Sequence, residues 1–129
     1  MAPLSVTLLP TNPRVGRVTL VGEHDAYSAP HLEHELTVLR ESGFGAVIDL
    51  CEASFVDSQT LSVLLAARHE AETARLGFVL VLPAEDYTQV HRILEMTGLD
   101  SAFVIEPDVD RAVAAAGSGR NASLHTRVA

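Results

Sequence analysis

Two five-residue runs, Ala46-Val-Ile-Asp-Leu50 and Phe78-Val-Leu-Val-Leu82, constrain this chain more than anything else in it. Each is mostly apolar and short, which suits a strand covered on both faces. Between them lies the longest helical candidate, Ser58 to Leu76. At about 100° per residue, its Thr60, Val63, Leu64, Ala67, Ala71 and Ala74 share one side and should face the sheet. A strand, a crossover helix and a second strand imply parallel pairing with a right-handed connection.

The flanking sequence extends this pattern. Ser5 to Leu9 is a short strand candidate bounded by Pro3 and Pro10, and Thr11-Asn12-Pro13 reads as a turn. Arg14 to Val21 then alternates apolar and polar residues, so the pair reads as an antiparallel hairpin at one end of the sheet. Ala102 to Ile105 is a weaker strand candidate, stopped by Pro107. Three more helices are expected. Pro30 to Glu41 carries a stripe of Leu32, Leu36 and Leu39. Glu85 to Thr97 turns Tyr87, Val90, Ile93 and Leu94 inward and exits through Gly98. Asp108 to Ala116 is capped by Asp108. The order is ββαβαβαβα. That is an α/β fold, one domain over residues 1–116, with a mostly parallel five-stranded sheet, one antiparallel edge strand and about four helices. Residues 117–129 lack apolar periodicity and are expected to be a mobile tail.

Charge excludes several functions. All 9 basic residues are arginine, set against 17 acidic ones, for a net charge of −8. Nucleic-acid binding is not expected, because phosphate contacts need clustered cations. No membrane insertion is expected either: charge-free apolar runs such as Phe78 to Ala84 fall far short of the roughly 20 residues a span requires. Cys51 is the one cysteine, which leaves no intrachain disulfide and no cysteine-based zinc site. The first 13 residues hold prolines and no basic start before an apolar stretch, unlike a signal peptide, so the expected location is cytoplasmic.

Catalytic motifs are missing. There is no GxGxxG or GxxxxGK[ST] phosphate loop and no GxSxG elbow. His31, His34 and Glu35 could share a helix face, but without a further well-placed ligand they read as a solvated surface, and no metal or cofactor is expected. His24-Asp25 follows a strand, where an acid/base pair and a solvated turn are both conceivable. Cys51 reads as a small core residue at a strand end, and Asp49 as a carboxylate bonded to nearby backbone N–H groups. One segment stands apart. A buried strand runs into Phe55-Val56, and Asp57-Ser58 then opens the long helix, with Asp and Ser both favoured as caps. On the helical wheel Ser58, Leu65 and His69 fall in one arc flanked by Leu61 and Ser62, pointing away from the Val63-Leu64-Ala67 stripe. Leucines rimmed by polar groups mark a partner surface, and a phosphate on Ser58 would meet the positive end of a helix.

Four stretches resemble the STAS domain family, in its bacterial anti-sigma factor antagonist branch: Val21-Gly-Glu-His-Asp25, Val47-Ile-Asp-Leu50, Phe55-Val-Asp-Ser58 and Leu94-Glu-Met-Thr-Gly-Leu99. The resemblance covers about residues 14 to 116. It implies a protein that binds an anti-sigma factor, itself an ATP-binding serine kinase of histidine-kinase-like fold, and so frees a sigma factor. It also implies that phosphorylation of Ser58 by that kinase ends the binding. The partner-facing residues expected on this basis are His24, Asp25, Asp57, Ser58, Gln59, Leu61, Ser62 and Leu65, none of them catalytic. The chain departs from the family's usual Asp-Ser-Ser/Thr-Gly-Leu by reading Asp57-Ser58-Gln59-Thr60-Leu61. Gln59 adds bulk beside the serine, and Thr60 removes a glycine where a partner backbone could come close. Two other readings compete: an accessory STAS subunit of a transporter or signalling assembly without a phosphorylation switch, and a small α/β enzyme using His24, Asp25 or Asp49.

Overall fold

In the computed structural model, which describes residues 3–11 and 13–122, Ala46–Asp49 and Phe78–Val81 lie side by side as parallel partners. They belong to a five-stranded sheet whose strands follow one another in chain order. The strands are β1 (Leu4–Leu9), β2 (Val15–His24), β3 (Gly45–Val56), β4 (Phe78–Val81) and β5 (Val104–Glu106). The helices are α1 (Ala29–Glu41), α2 (Ser58–Thr73), α3 (Gln89–Thr97) and α4 (Val109–Gly117), with a short 3-10 turn at Leu99–Ser101. β1 pairs antiparallel with β2, and every other neighbouring pair is parallel. This is the ββαβαβαβα arrangement that the sequence pattern predicts.

Strand alternation divides the core in two. Ala46, Ile48 and Leu50 of β3 point to a face covered by Leu32, Leu36 and Leu39 of α1, Leu61 and Leu64 of α2, and Val90 and Leu94 of α3. Val47 points the other way, to Val15, Val79, Val81 and Val104 under Ala112, Ala115 and Ala116 of α4. Alanines let α4 sit close to the sheet. Gly77, just before β4, completes the fit, because a Cβ there would run into the backbone of Ala116.

Element ends differ from expectation for local reasons. β2 and β3 run on past Val21 and Leu50 as a two-stranded extension, with register shifts between Thr19 and Val21 and again between Gly22 and Glu23. Cys51 lies on this extension and is exposed, correcting its expected place in the core. α2 stops at Thr73, and Arg75 turns left-handed at φ 60°, so Ala74 is exposed and does not face the sheet. α3 begins at Gln89, four residues later than expected. Thr88 and His91 form a capping box there, with the Thr88 N–H donating to His91 Nδ1 at 3.1 Å. Tyr87 therefore precedes the helix and is exposed, where the periodicity had it inward. Gly98 ends α3 at φ 76°, the left-handed exit expected of it.

The described chain does not leave the body at residue 116. The Arg120 carbonyl accepts from the Phe78 N–H at 2.8 Å, Asn121 Nδ2 donates to the Leu76 carbonyl at 3.1 Å, and Ala122 is buried. The rest of the expected tail, residues 123–129, lies outside the described residues.

Candidate functional site

β2 and β3 deliver two loops to one end of the sheet. The Asp57 N–H donates to the His24 carbonyl at 3.1 Å, which ties the start of α2 to the end of β2. Asp57 is the N-cap, with extended backbone (φ −97°, ψ −179°). Its Oδ1 accepts from the Thr60 N–H at 2.9 Å and from the Thr60 hydroxyl at 3.1 Å. The departure at position 60 thus has a structural role: Thr60 is fully buried, and its hydroxyl adds a second hydrogen bond to the cap.

Ser58 opens the helix beside this cap and is exposed, as is Gln59. No hydrogen bond is made to the Ser58 hydroxyl from any described residue. Its carbonyl accepts from the Ser62 hydroxyl at 2.9 Å, so Ser62, also exposed, is already engaged with the helix backbone. Leu65 is half-buried against the core.

Two residues expected at a partner surface lie inside instead. Leu61 is buried with Leu64 in the core. The buried arc of α2 runs through Thr60, Leu61, Leu64 and Ala71, turned toward Leu61 relative to the expected stripe. Val63 and Ala67 are only half-buried because short side chains leave a groove of about 360 Å³ between α1 and α2. His24 is fully buried. Its Nε2–H donates to the Val21 carbonyl at 3.1 Å, and Nδ1 lies 3.2 Å from Ser28 Oγ. Both ring nitrogens are thus occupied in holding the turn that leads to α1. Asp25 remains exposed but also serves that turn: its Oδ1 accepts from the Tyr27 N–H at 2.9 Å, and its carbonyl accepts from the N–H groups of Ser28 and Ala29.

Two aromatic residues near this end of the sheet were not assigned a role from the sequence. Phe55, two residues before the cap, is 39% exposed, and Tyr27, on the loop after β2, is 95% exposed. Neither belongs to a periodic pattern, and for Tyr27 the available signal was an aromatic residue inside a turn. Gln89 was missed as well. Its side-chain amide accepts from the Val56 N–H at 2.9 Å and donates to the Val56 carbonyl at 3.0 Å, standing in for a neighbouring strand where β4 has ended.

The residues weighed for catalysis are not brought together here. Asp49 pairs with Arg17 on the α4 side of the sheet (Nε to Oδ2, 3.2 Å) and accepts from the Cys51 N–H at 3.0 Å. Burial opposes its ionisation, but the Arg17 guanidinium and the Cys51 N–H outweigh that and hold its carboxyl below the usual value. The Cys51 thiol is pushed up to about 11 by desolvation and by the Asp49 carboxylate, which makes it a poor nucleophile at neutral pH. His31 Nε2 lies 3.6 Å from Glu35, and among the described residues no group of three or more His, Cys, Asp or Glu is arranged to hold a metal ion. Cavities of about 360 and 400 Å³ lie between α1 and α2 and beside α3, and neither is lined by Asp57 or Ser58. At the end of the sheet Ser58, Gln59 and Ser62 are exposed beside the Asp57 cap.

Comparison with known proteins agrees with this geometry. The profile of the STAS domain family matches residues 7–112. An anti-sigma factor antagonist from Mycobacterium paratuberculosis is 31% identical, over 89% of this chain and 97% of that one, with a TM-score of 0.69. Two structures of SpoIIAA share the fold at lower identity. Its unphosphorylated form is 12% identical over 85% of this chain and 94% of that one, with a TM-score of 0.63. The phosphorylated form of this Bacillus cell fate determinant is 14% identical over 85% and 97%, with a TM-score of 0.62. No match was found among curated proteins.

Proposed function

The chain belongs to the STAS domain family, and from that membership together with the geometry around Ser58 we propose that it is an anti-sigma factor antagonist switched by phosphorylation of Ser58. Unmodified, it binds an anti-sigma factor that is also an ATP-dependent serine kinase. The contact is made by Ser58, Gln59, Ser62 and the exposed flank of Leu65, with Phe55, Tyr27 and Asp25 beside them. Transfer of the γ-phosphoryl group to the Ser58 oxygen ends the complex and returns the anti-sigma factor to its sigma factor. The protein acts by binding, not as an enzyme, and the exchange takes place in the cytoplasm.

The observation that carries this reading is the state of the Ser58 hydroxyl. It is exposed at the first position of a sixteen-residue helix and unbonded, while its neighbours Asp57 and Thr60 are held by each other. A phosphoserine brings about −1.5 to −2 charges. The helix N-terminus returns roughly 0.3–1 kcal/mol when exposed, enough for the fold to tolerate the group. A partner that covers a neutral hydroxyl must instead desolvate a dianion, at a far higher cost. Modification therefore acts on binding and leaves folding almost unchanged.

The test is incubation with the anti-sigma factor kinase and ATP, followed by mass spectrometric site assignment and a binding measurement. Phosphate is expected on Ser58. Ser58→Asp is expected to lose binding, and Ser58→Ala to keep binding and take up no phosphate. Phosphate on Thr60 or Ser62, or on no residue, would refute the switch.

A further inference from the structure

β1 is an open edge of the sheet, paired with β2 and with no other strand among the described residues. The Val21 N–H donates to the Pro3 carbonyl at 2.8 Å, and this fixes the phase of the ladder. In the register running from Leu4–Leu20 to Leu9–Val15, residues bond across in alternation. Ser5, Thr7 and Leu9 thus turn their N–H and C=O groups toward β2, and Leu4, Val6 and Leu8 turn theirs away from it. Soluble proteins commonly blunt such an edge with a charge, a proline or a bulge. Between Leu4 and Leu9 there is no charge, no proline and no break in register, in a chain of net charge −8. Leu8 is 59% exposed there.

The order of side chains in β1 indicates what can cover it. Leu4-Ser5-Val6-Thr7-Leu8 reads the same in both directions by class: leucine, hydroxyl, valine, hydroxyl, leucine. An antiparallel copy centred on Val6 sets Leu4 against Leu8, Ser5 against Thr7, and Val6 against itself. The centre falls on a residue whose backbone groups face outward, so every outward N–H and C=O of Leu4, Val6 and Leu8 finds a partner. Ser5 and Thr7 then face each other at non-hydrogen-bonded positions, where side chains come closest and hydroxyl pairs are favourable. A two-residue slip in one direction would set Leu4 opposite Pro10, which has no N–H to give. We infer that β1 is a self-association surface, through which two copies of this chain pair antiparallel about a two-fold axis at Val6 to form one continuous sheet. The interface is isologous, as a closed dimer requires, and it is independent of the Ser58 surface. One strand pair buries less than the roughly 1,200 Å² of a standard interface, so the dimer is concentration-dependent.

Sedimentation equilibrium from about 10 to 500 μM tests this. The mass is expected to rise from that of the 13.8 kDa chain toward twice that value. Leu8→Lys sets a cation on the edge at an already exposed position, and it should weaken association roughly tenfold or more while leaving the melting temperature of the dilute protein unchanged. Register is read by the double variant Ser5→Cys/Thr7→Cys in a Cys51→Ser background. Ser5 and Thr7 are exposed and oppose each other at non-hydrogen-bonded positions, about 4.5 Å apart at Cα and close enough at Cβ for a disulfide, so mild oxidation should give a covalent dimer. The inference is overturned by a chain that stays monomeric throughout the range, by Leu8→Lys associating as the parent does, or by Ser5→Cys/Thr7→Cys failing to cross-link.

Discussion

Replacing Asp57 by alanine removes two hydrogen bonds at once, and their separate sizes can be worked out. The first is the cap to the Thr60 N–H, whose loss typically costs about 1 kcal/mol within a range of roughly 0.5–2. The second is the bond from the Thr60 hydroxyl, which is fully buried and would be left with no acceptor. An orphaned buried hydroxyl costs a further 1–3 kcal/mol or so, and Asp57→Ala should therefore destabilise the domain by about 2–4 kcal/mol. Thr60→Val keeps the shape of the side chain and deletes the hydroxyl. Asp57 retains its bond to the Thr60 N–H in that variant, so the loss should be about 1 kcal/mol. In the double variant no hydroxyl remains to be stranded, leaving little beyond the lost cap and a total of roughly 1–2 kcal/mol. The double variant should accordingly be no less stable than Asp57→Ala alone. Urea denaturation of the four proteins, fitted with a common m-value, measures the cycle. Strictly additive losses, or an Asp57→Ala cost below about 0.5 kcal/mol, would show that Asp57 and Thr60 are not coupled and that the carboxylate is free to serve a partner.

Leu61→Ala should lower stability by about 2–4 kcal/mol with binding affected only through folding, whereas Leu65→Ala, on the half-buried flank, should cost about 1 kcal/mol or less and weaken the complex with the anti-sigma factor. Melting temperatures set beside binding titrations separate the two, and equal melting losses would refute the placement of α2. Acid stability should depend on Asp49. Its folded carboxyl titrates below its unfolded value, so the stabilisation is full above about pH 4 and is lost as pH falls through the lower, folded value. Asp49→Asn should be less stable at pH 7 and should lose less on acidification, as urea midpoints from neutral pH down to about pH 3 would report. A parallel decline in the two proteins would remove Asp49 from the account.

The sheet was legible because its signal is local. The runs at Val47 and Val79 can satisfy burial on both faces only as strands, and one helix between two such strands sets parallel order. Where helices begin and end depends on contacts that periodicity does not carry. The start of α3 is set by His91 reaching back to Thr88 and by Gln89 reaching across to Val56, two long-range or side-chain-specific facts hidden in a polar stretch. The site shows the same division. Asp57-Ser58 was readable as a helix start, because capping is written in adjacent residues. The buried side of α2 was readable at Thr60, Leu64 and Ala71, but not its turn toward Leu61. A wheel drawn for a single apolar stripe includes Val63, Ala67 and Ala74, but alanines fill little volume. The α1 side of the helix is left as a groove, and Leu61 joins the expected Leu64 in the core. Thr60 marks the limit of motif matching. At the position where the family's usual glycine supplies only the absence of a side chain, the threonine supplies a methyl group to bury and a hydroxyl for Asp57. With both residues drawn into the helix cap, Ser58 keeps an exposed hydroxyl beside it that the fold does not use.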